Sequence, residues 1–433
     1  MARIIFLNRF FYPDYSATSQ ILTDLAFALT TRGFEVHVIT SRQRYDDARA
    51  ALPARESVDS VHIHRVASSR FGRGNLFGRA LDYLTYYVFA AWRVWRLARK
   101  GDVVVAKTDP PLISVVIAPI TRLRGARLVN WLQDLFPEVA QAAGVGGRAG
   151  KSLFSLLRRL RNRTLVLAQA NIVLGDKMAE HLRSEGIEEA QIRVIANWQD
   201  GRLVKPISHS QNPLRAAWEL EGKFVVAYSG NLGRVHDLTT ALGAMEFLQS
   251  GQGKEAKQDA KDPKIVFLFI GGGALHEMLN EQIARRSLTN VEIKPYQPRE
   301  QLSQSLSLAD LHLVTLRPEF EGLIVPSKFY GVAAAGRATL FIGERDGEIP
   351  RLLREHRCGL SVQPGDCEEL ARHIEELSRD GKRCQAMGRR ARAVFEQRFD
   401  KEIAVEAWCE LFGELKVRTR YGQHKGSHRA SGA

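Results

Sequence analysis

The sequence predicts an α/β protein built from two doubly wound parallel sheets, and three observations carry that prediction. Short apolar runs rich in Val, Ile and Leu alternate with amphipathic helical stretches along most of the chain, the rhythm of βαβ units. A chain of 433 residues is too long for one ordinary core, so two domains are the default. The alternation breaks once, between residues 200 and 222, where Pro206, Ser208, Ser210, Asn212 and Pro213 interrupt the periodicity.

Before that break, residues 3–8, 34–40, 102–106, 127–132 and 170–174 read as strands, with helices over 18–32, 151–168 and 177–185. After it, strands are expected at 224–229, 265–270, 312–316 and 339–343, and helices at 238–249, 273–286 and 368–379. The strands are apolar almost throughout because helices cover both faces of a parallel sheet. The expected domains are therefore 1–205 and 223–397, joined by a linker over 206–222. A helix with an apolar stripe at Ala404, Val405, Trp408, Leu411 and Phe412 closes the fold over 398–416. Residues 417–433 are basic and rich in Gly and Ser, with no apolar face, and are expected to be disordered. The lysine-rich stretch 251–263 reads as a surface loop.

Composition excludes several classes. Cys358, Cys367, Cys384 and Cys409 lie far apart, without metal-ligand spacing, as reduced cytoplasmic cysteines do. The chain opens directly on a strand, so no secretory signal is expected. The longest apolar stretch, 103–120, contains Lys107, Asp109, Pro110 and Pro111 and does not read as a transmembrane span.

The most informative segment is 319–348. A loop with Pro326 and Ser327 enters a short helix of small and aromatic residues, with Ser327 placed to cap it and Lys328 in its first turn. A lysine at a helix start behind a loop is a seat for phosphate, although an ordinary helix-start lysine would look the same. Gly331 and Ala333 to Ala335 leave room for a bulky ligand near the backbone.

Together with residues 3–8, 12–13, 25–40, 131–138, 194–200, 228–234, 269–273 and 309–314, this segment resembles the family-4 glycosyltransferases, in the family's order and over nearly the whole chain. The resemblance implies the GT-B architecture: two Rossmann-like domains around a cleft, an acceptor side in the first, a nucleotide-sugar side in the second, and a last helix crossing back to the first. It implies sugar transfer from a nucleoside diphosphate with retention of configuration, here with front-side attack assisted by the leaving phosphate. The segment Pro326-Ser327-Lys328-Phe329-Tyr330-Gly331 points to the subgroup associated with surface-polysaccharide, O-antigen and colanic-acid-type assembly.

Two departures matter. The family's Gly-Arg-Leu and Lys-Gly become Gly230-Asn231-Leu232 and His236-Asp237, which moves the main phosphate cation to Lys328. The family's paired glutamates fall at Leu323 and Gly331, leaving Glu321 as the expected donor-sugar contact, unless it is a solvated loop acid. Glu348 follows the next strand in a loop expected to face the same cleft. No Asp-x-Asp stands where it could hold a metal, so no metal and no cofactor are expected. Lys328, Arg234 and the amides of Gly230, Asn231 and Gly233 are expected on phosphate. Gly271, Gly272, Pro326 and Ser327 complete the nucleotide-sugar pocket. On the acceptor side Gln133 excludes a histidine base, and Asp134 either takes the acceptor's proton or caps the next helical turn.

The 62 Lys and Arg against 48 Asp and Glu give a formal charge of +14, which asks for an acidic partner. No nucleic-acid module accompanies the charge, so nucleic acid is not expected. Residues 71–100 interleave aromatics with Arg and Lys, and Lys151, Arg158, Arg159, Arg161 and Arg163 form a second cluster. Either these are solvated faces over core aromatics, or they bind an anionic inner-leaflet membrane surface from the cytoplasmic side. The second choice implies a polyprenyl-diphosphate-linked glycan as acceptor. A two-domain sugar-nucleotide epimerase and an inactive scaffold of a polysaccharide-assembly complex are the alternatives.

Overall fold

In the computed structural model, which describes residues 2–47, 49–71, 76–145, 147, 150–254 and 264–419, the chain forms two open sheets. Strands β1 (Ile4–Leu7), β2 (Val36–Ser41), β3 (Arg55–Val58), β4 (Val61–Val66), β5 (Val103–Lys107), β6 (Arg127–Trp131), β7 (Ala170–Val173) and β8 (Ile192–Val194) make the first. Their order is β3-β4-β2-β1-β5-β6-β7-β8. The second sheet holds β9 (Phe224–Ser229), β10 (Ile265–Ile270), β11 (Val291–Lys294), β12 (Leu311–Thr315), β13 (Ala338–Ile342) and β14 (Gly359–Val362), in the order β11-β10-β9-β12-β13-β14. All pairings are parallel except that of β3 with β4.

The strands legible in the sequence are the central ones, whose residues are buried on both faces. Those it missed are β3, β4, β8, β11 and β14, and all but β4 are sheet edges. An edge strand needs cover on fewer sides, and β3 and β11 accordingly mix charge with apolar residues. The helix expected to stop at 249 runs on as Thr239–Lys254. Most of the expected loop 251–263 and the tail from residue 420 lie outside the described residues.

The chain passes between the domains twice, and the two crossings pair. Gln199 donates to the Phe399 carbonyl at 3.2 Å, and the Lys401 amide donates to the Gln199 carbonyl at 3.0 Å. Lys401 also ion-pairs with Asp200. The helix Lys401–Glu414 then packs on the first sheet: Trp408 and Phe412 are fully buried beside Phe6 and Trp131. Trp198 is buried and stacks on Trp131 at 6.1 Å and 17°. Residues 206–222 are no free tether. Asn212 caps the short helix Pro213–Ala217, and buried Arg215 donates to the carbonyls of Leu308, Leu220 and Lys223. Among the described residues, no helix is long and apolar enough to cross a membrane.

Candidate active site

Open parallel sheets gather ligands beyond the carboxyl ends of their strands. Here the loops leaving β6 and β12 touch across the cleft. Asp134 pairs antiparallel with Ile324, and the Leu135 amide donates to the Leu323 carbonyl at 2.9 Å. That contact sets Asp134 of the first sheet's domain beside the segment carrying Glu321, Pro326 and Lys328.

Lys328 opens the helix Lys328–Ala334, which is anchored by buried Phe329, Tyr330 and Ala333. Ser327 stands at the N-cap position, but its hydroxyl makes no capping bond, contrary to the expectation. Pro326 is buried behind it. The lysine folds back over the loop leaving β9: Nζ lies 3.1 Å from His236 Nε2 and 5.3 Å from the Tyr228 ring centre. Burial brings its pKa down to about 8. Gly230 makes room for the stem. It has φ 119°, and a Cβ there would come within 3.2 Å of Lys328 Cε. Tyr228 Oη donates to the Asn231 carbonyl at 2.9 Å, holding the turn that continues through Gly233. Arg234 is exposed further along and lines a cavity of about 380 Å³ with His236, Asp237, Arg317 and Ala143.

A second glycine turn rests on the first. Gly271 follows β10 with φ 131°, and a Cβ there would lie 2.5 Å from the Gly230 carbonyl oxygen, so only glycine fits. The Gly272 carbonyl accepts from the Leu232 amide at 2.7 Å. Tyr296, 58 % exposed, lays its ring against both glycines. Nothing in the sequence marked this tyrosine, which follows an edge strand that was itself missed.

The two glutamates are placed differently from the expectation. Glu321 Oε1 accepts the Glu348 amide at 2.8 Å, and Glu348 Oε2 accepts the Lys177 amide at 2.9 Å. Each carboxylate thus serves a helix N-terminus, Glu348–His356 and Asp176–Ser184 respectively. Backbone donors are what a carboxylate short of water requires, and here they occupy Glu321 where an open sugar contact was expected. Glu348 is the first residue of a helix rather than a loop residue, and its side chain bridges the two domains. Burial, the leading cause, raises the pKa of both.

Asp134 is exposed to the cleft yet has protein on several sides. That surrounding protein, which dehydrates the charged form, and then the Asp109 charge raise its carboxyl to about 6, against the pull of Lys107. Lys107, fully buried at the end of β5, donates to the Thr18 carbonyl at 2.7 Å and sits 4.0 Å from the Trp131 ring centre. Burial lowers its pKa to about 7. Sequence reasoning passed over Lys107, because a strand-end lysine looks like any other. Gln133 and Asn197 exchange amide hydrogen bonds at 3.2 and 3.0 Å, closing the floor beside Asp134.

Among the described residues, one group of carboxylates and histidine is tight enough to hold a metal: Glu138, His181 and Glu185. Arg161 already lies 2.5 Å from Glu138, and Asn162 donates to Glu185 at 2.6 Å.

Residues 17–198 match the glycosyl transferase 4-like domain, and residues 210–394 match the glycosyl transferases group 1. The chain belongs to the family-4-type glycosyltransferases. Among curated relatives, the probable glycosyltransferase WbjE of Pseudomonas aeruginosa is 27 % identical over 356 residues, 80 % of this chain and 84 % of that protein. The putative colanic acid biosynthesis glycosyl transferase WcaI of Escherichia coli (strain K12) is 21 % identical over 296 residues, 67 % of this chain and 69 % of that one. The transferase also shares its fold with sucrose-phosphate synthase from Thermosynechococcus elongatus (TM-score 0.75, 16 % identity, covering 96 % of this chain and 99 % of that one). Anabaena Alr3699/HepE in complex with UDP-glucose superposes with a TM-score of 0.67 at 17 % identity, covering 96 % and 100 %. The two facing sheets are therefore a GT-B fold, and the enzyme is a glycosyltransferase.

Proposed function

We propose that this transferase moves a sugar from a nucleoside-diphosphate donor to a glycan carried on a polyprenyl diphosphate, at an anionic membrane face, in the assembly of a surface polysaccharide. Family membership, the UDP-glucose held by HepE and the colanic acid assignment of WcaI support the donor and the pathway. The observation that carries the lipid acceptor is the outer face of the helix Leu76–Leu97.

That helix buries Asp82, Tyr86, Ala90 and Val94, spaced four apart, against the first sheet. Its opposite face is apolar as well: Leu84, Val88, Trp92 and Trp95 are 45–58 % exposed. The neighbouring helices Ile113–Leu123 and Gly150–Leu167 add exposed Leu123, Leu153 and Leu156. The acid on these three helices is Asp82, which is buried against Arg9. Arg96 lies over the Trp92 ring and Arg124 over that of Trp95. An apolar ridge flanked by cations suits an anionic bilayer. Arg161, expected in the basic cluster, is buried against Glu138 and has no part in this face.

In the reaction, Lys328, Arg234 and the amides of Asn231 and Gly233 neutralise the departing diphosphate, and Asp134 orients the acceptor hydroxyl or takes its proton; the Gly230 amide, expected on phosphate, instead donates to the Ile270 carbonyl at 2.8 Å. With charge supplied by the protein, transfer survives EDTA, and configuration is retained by front-side attack. Both points are tested by assaying the purified enzyme with a panel of sugar nucleotides and a polyprenyl-diphosphate-linked acceptor, with and without EDTA, and by reading the anomeric configuration of the product by NMR. Free nucleoside diphosphate and a heavier lipid support the reading. Interconversion of sugar nucleotides would favour an epimerase, and EDTA-abolished transfer would overturn the metal-free mechanism.

Two further results are expected. The kcat/KM for transfer rises as pH increases through about 6, where Asp134 ionises, and falls above about 8, where Lys328 loses its proton. Asp134→Asn removes the acid limb, and an unchanged acid limb in that variant would remove Asp134 from the chemistry. In flotation assays the enzyme binds phosphatidylglycerol vesicles at low salt and releases as salt rises, each surface cation contributing about 1 kcal/mol. Arg159→Gln with Arg163→Gln, or Trp92→Ser with Trp95→Ser, weakens binding; equal binding to neutral vesicles by every variant would refute the docking face.

A further inference from the structure

We infer that His236 is a positioning residue that fixes the tip of Lys328 so that two of its three N–H bonds face the donor's diphosphate. The inference rests on the reading of Lys328 as the phosphate cation.

The argument starts from the other side of the imidazole. His236 is 8 % exposed, and its Nδ1 lies 2.8 Å from the Thr315 carbonyl oxygen. A carbonyl only accepts, so Nδ1 carries the hydrogen. Burial, and then the charge of Lys328, bring the ring's pKa down to about 4, so the ring is neutral. Nε2 is therefore left with its lone pair, and it points at Lys328 Nζ from 3.1 Å. Lys328 must be the donor. A lysine head on a four-carbon stem is ordinarily free to wander, and holding it costs rotamer entropy. Here that cost is met before the donor arrives.

The surroundings are built to hold the histidine. Thr315 Oγ1 accepts the Asp237 amide at 2.6 Å and donates to the Asp237 carbonyl at 3.2 Å, fixing the loop one residue on. The Tyr228 ring stands edge-on to His236 at 5.8 Å and under the lysine head. The stem of Lys328 lies against Gly230. With one N–H on Nε2, the ammonium keeps two others for phosphate oxygens.

The test is isothermal titration of UDP and of GDP into the intact enzyme at neutral pH, using whichever nucleotide binds more tightly. Lys328→Ala is expected to weaken binding tenfold or more, and His236→Leu severalfold. His236→Gln, whose amide offers one acceptor and one donor, restores most of the loss. The double variant Lys328→Ala/His236→Leu binds no more weakly than Lys328→Ala alone, because His236 acts only through the lysine. A folded His236→Leu that binds like the wild type, or losses that simply add, would overturn the inference while leaving Lys328 in place. Unchanged binding in Lys328→Ala would overturn the phosphate site itself and this inference with it. Should His236→Leu fail to fold, nitrogen NMR of the ring in the unaltered protein decides: a neutral Nδ1–H tautomer at pH 6 is expected, and a protonated ring refutes the assignment.

Discussion

Lys328→Ala lowers kcat on the order of 100-fold or more, with the thermal midpoint unchanged. Charge on the β-phosphate grows as the sugar leaves, so a cation set beside it stabilises the transition state more than the bound donor. A preorganised charge of this kind supplies about 2.7–4 kcal/mol in comparable sites. The loss therefore appears mainly in kcat, the pattern for an interaction strengthened in the transition state. Stability is spared because the stem lies on the Gly230 turn and the Tyr228 ring at the cleft surface, while Phe329 and Tyr330 hold the helix in the core. Lys328→Arg recovers little, since the planar guanidinium cannot take the compact seat between Gly230 and His236. Near-normal turnover in Lys328→Ala, measured by coupled release of nucleoside diphosphate, would place the lysine outside the chemistry.

Trp408→Ala costs about 3–5 kcal/mol of stability, the range for removing a large buried aromatic. Its ring is fully buried, 4.8 Å from Trp131, 5.5 Å from Phe412 and 6.3 Å from Phe6. The residue lies near the end of the described chain yet packs in the core of the sheet that begins it. Truncation leaves a cavity under β1 and β6 and loosens the helix that ties the two domains together. Chemical denaturation followed by tryptophan fluorescence reads this as a lower midpoint. A midpoint within experimental error of the wild type would mean that the closing helix contributes nothing to the first domain.

What was legible in the sequence follows from which signals are local. Continuous apolar runs announce central strands, and an i, i+4 stripe announced the closing helix with Trp408 and Phe412. The helix start at Lys328 was legible because a loop, a capping-type serine and a lysine stand in a row. The helix-start position of Glu348 and the bond that Glu321 makes to it went unread because the side chains' partners, the amides of Lys177 and Glu348, lie 171 and 27 residues away. Separations of that kind leave no periodic trace. His236 was seen only as a replaced family residue, since the carbonyl that sets its tautomer belongs to β12. In the helix Leu76–Leu97 the aromatics were noticed, but only packing separates buried Tyr86 from exposed Trp92. Likewise Arg161 looked like its basic neighbours until Glu138 was found beneath it.

The central claim, that the donor's diphosphate is held by Lys328 over the stacked glycine turns, is tested most directly by a crystal structure of the enzyme with its preferred nucleoside diphosphate. The account predicts a β-phosphate oxygen within hydrogen-bond distance of Lys328 Nζ, with Gly230 and Gly271 against the phosphates and His236 still bonded to the lysine. A diphosphate bound elsewhere, with Lys328 touching only His236 and Tyr228, would contradict it.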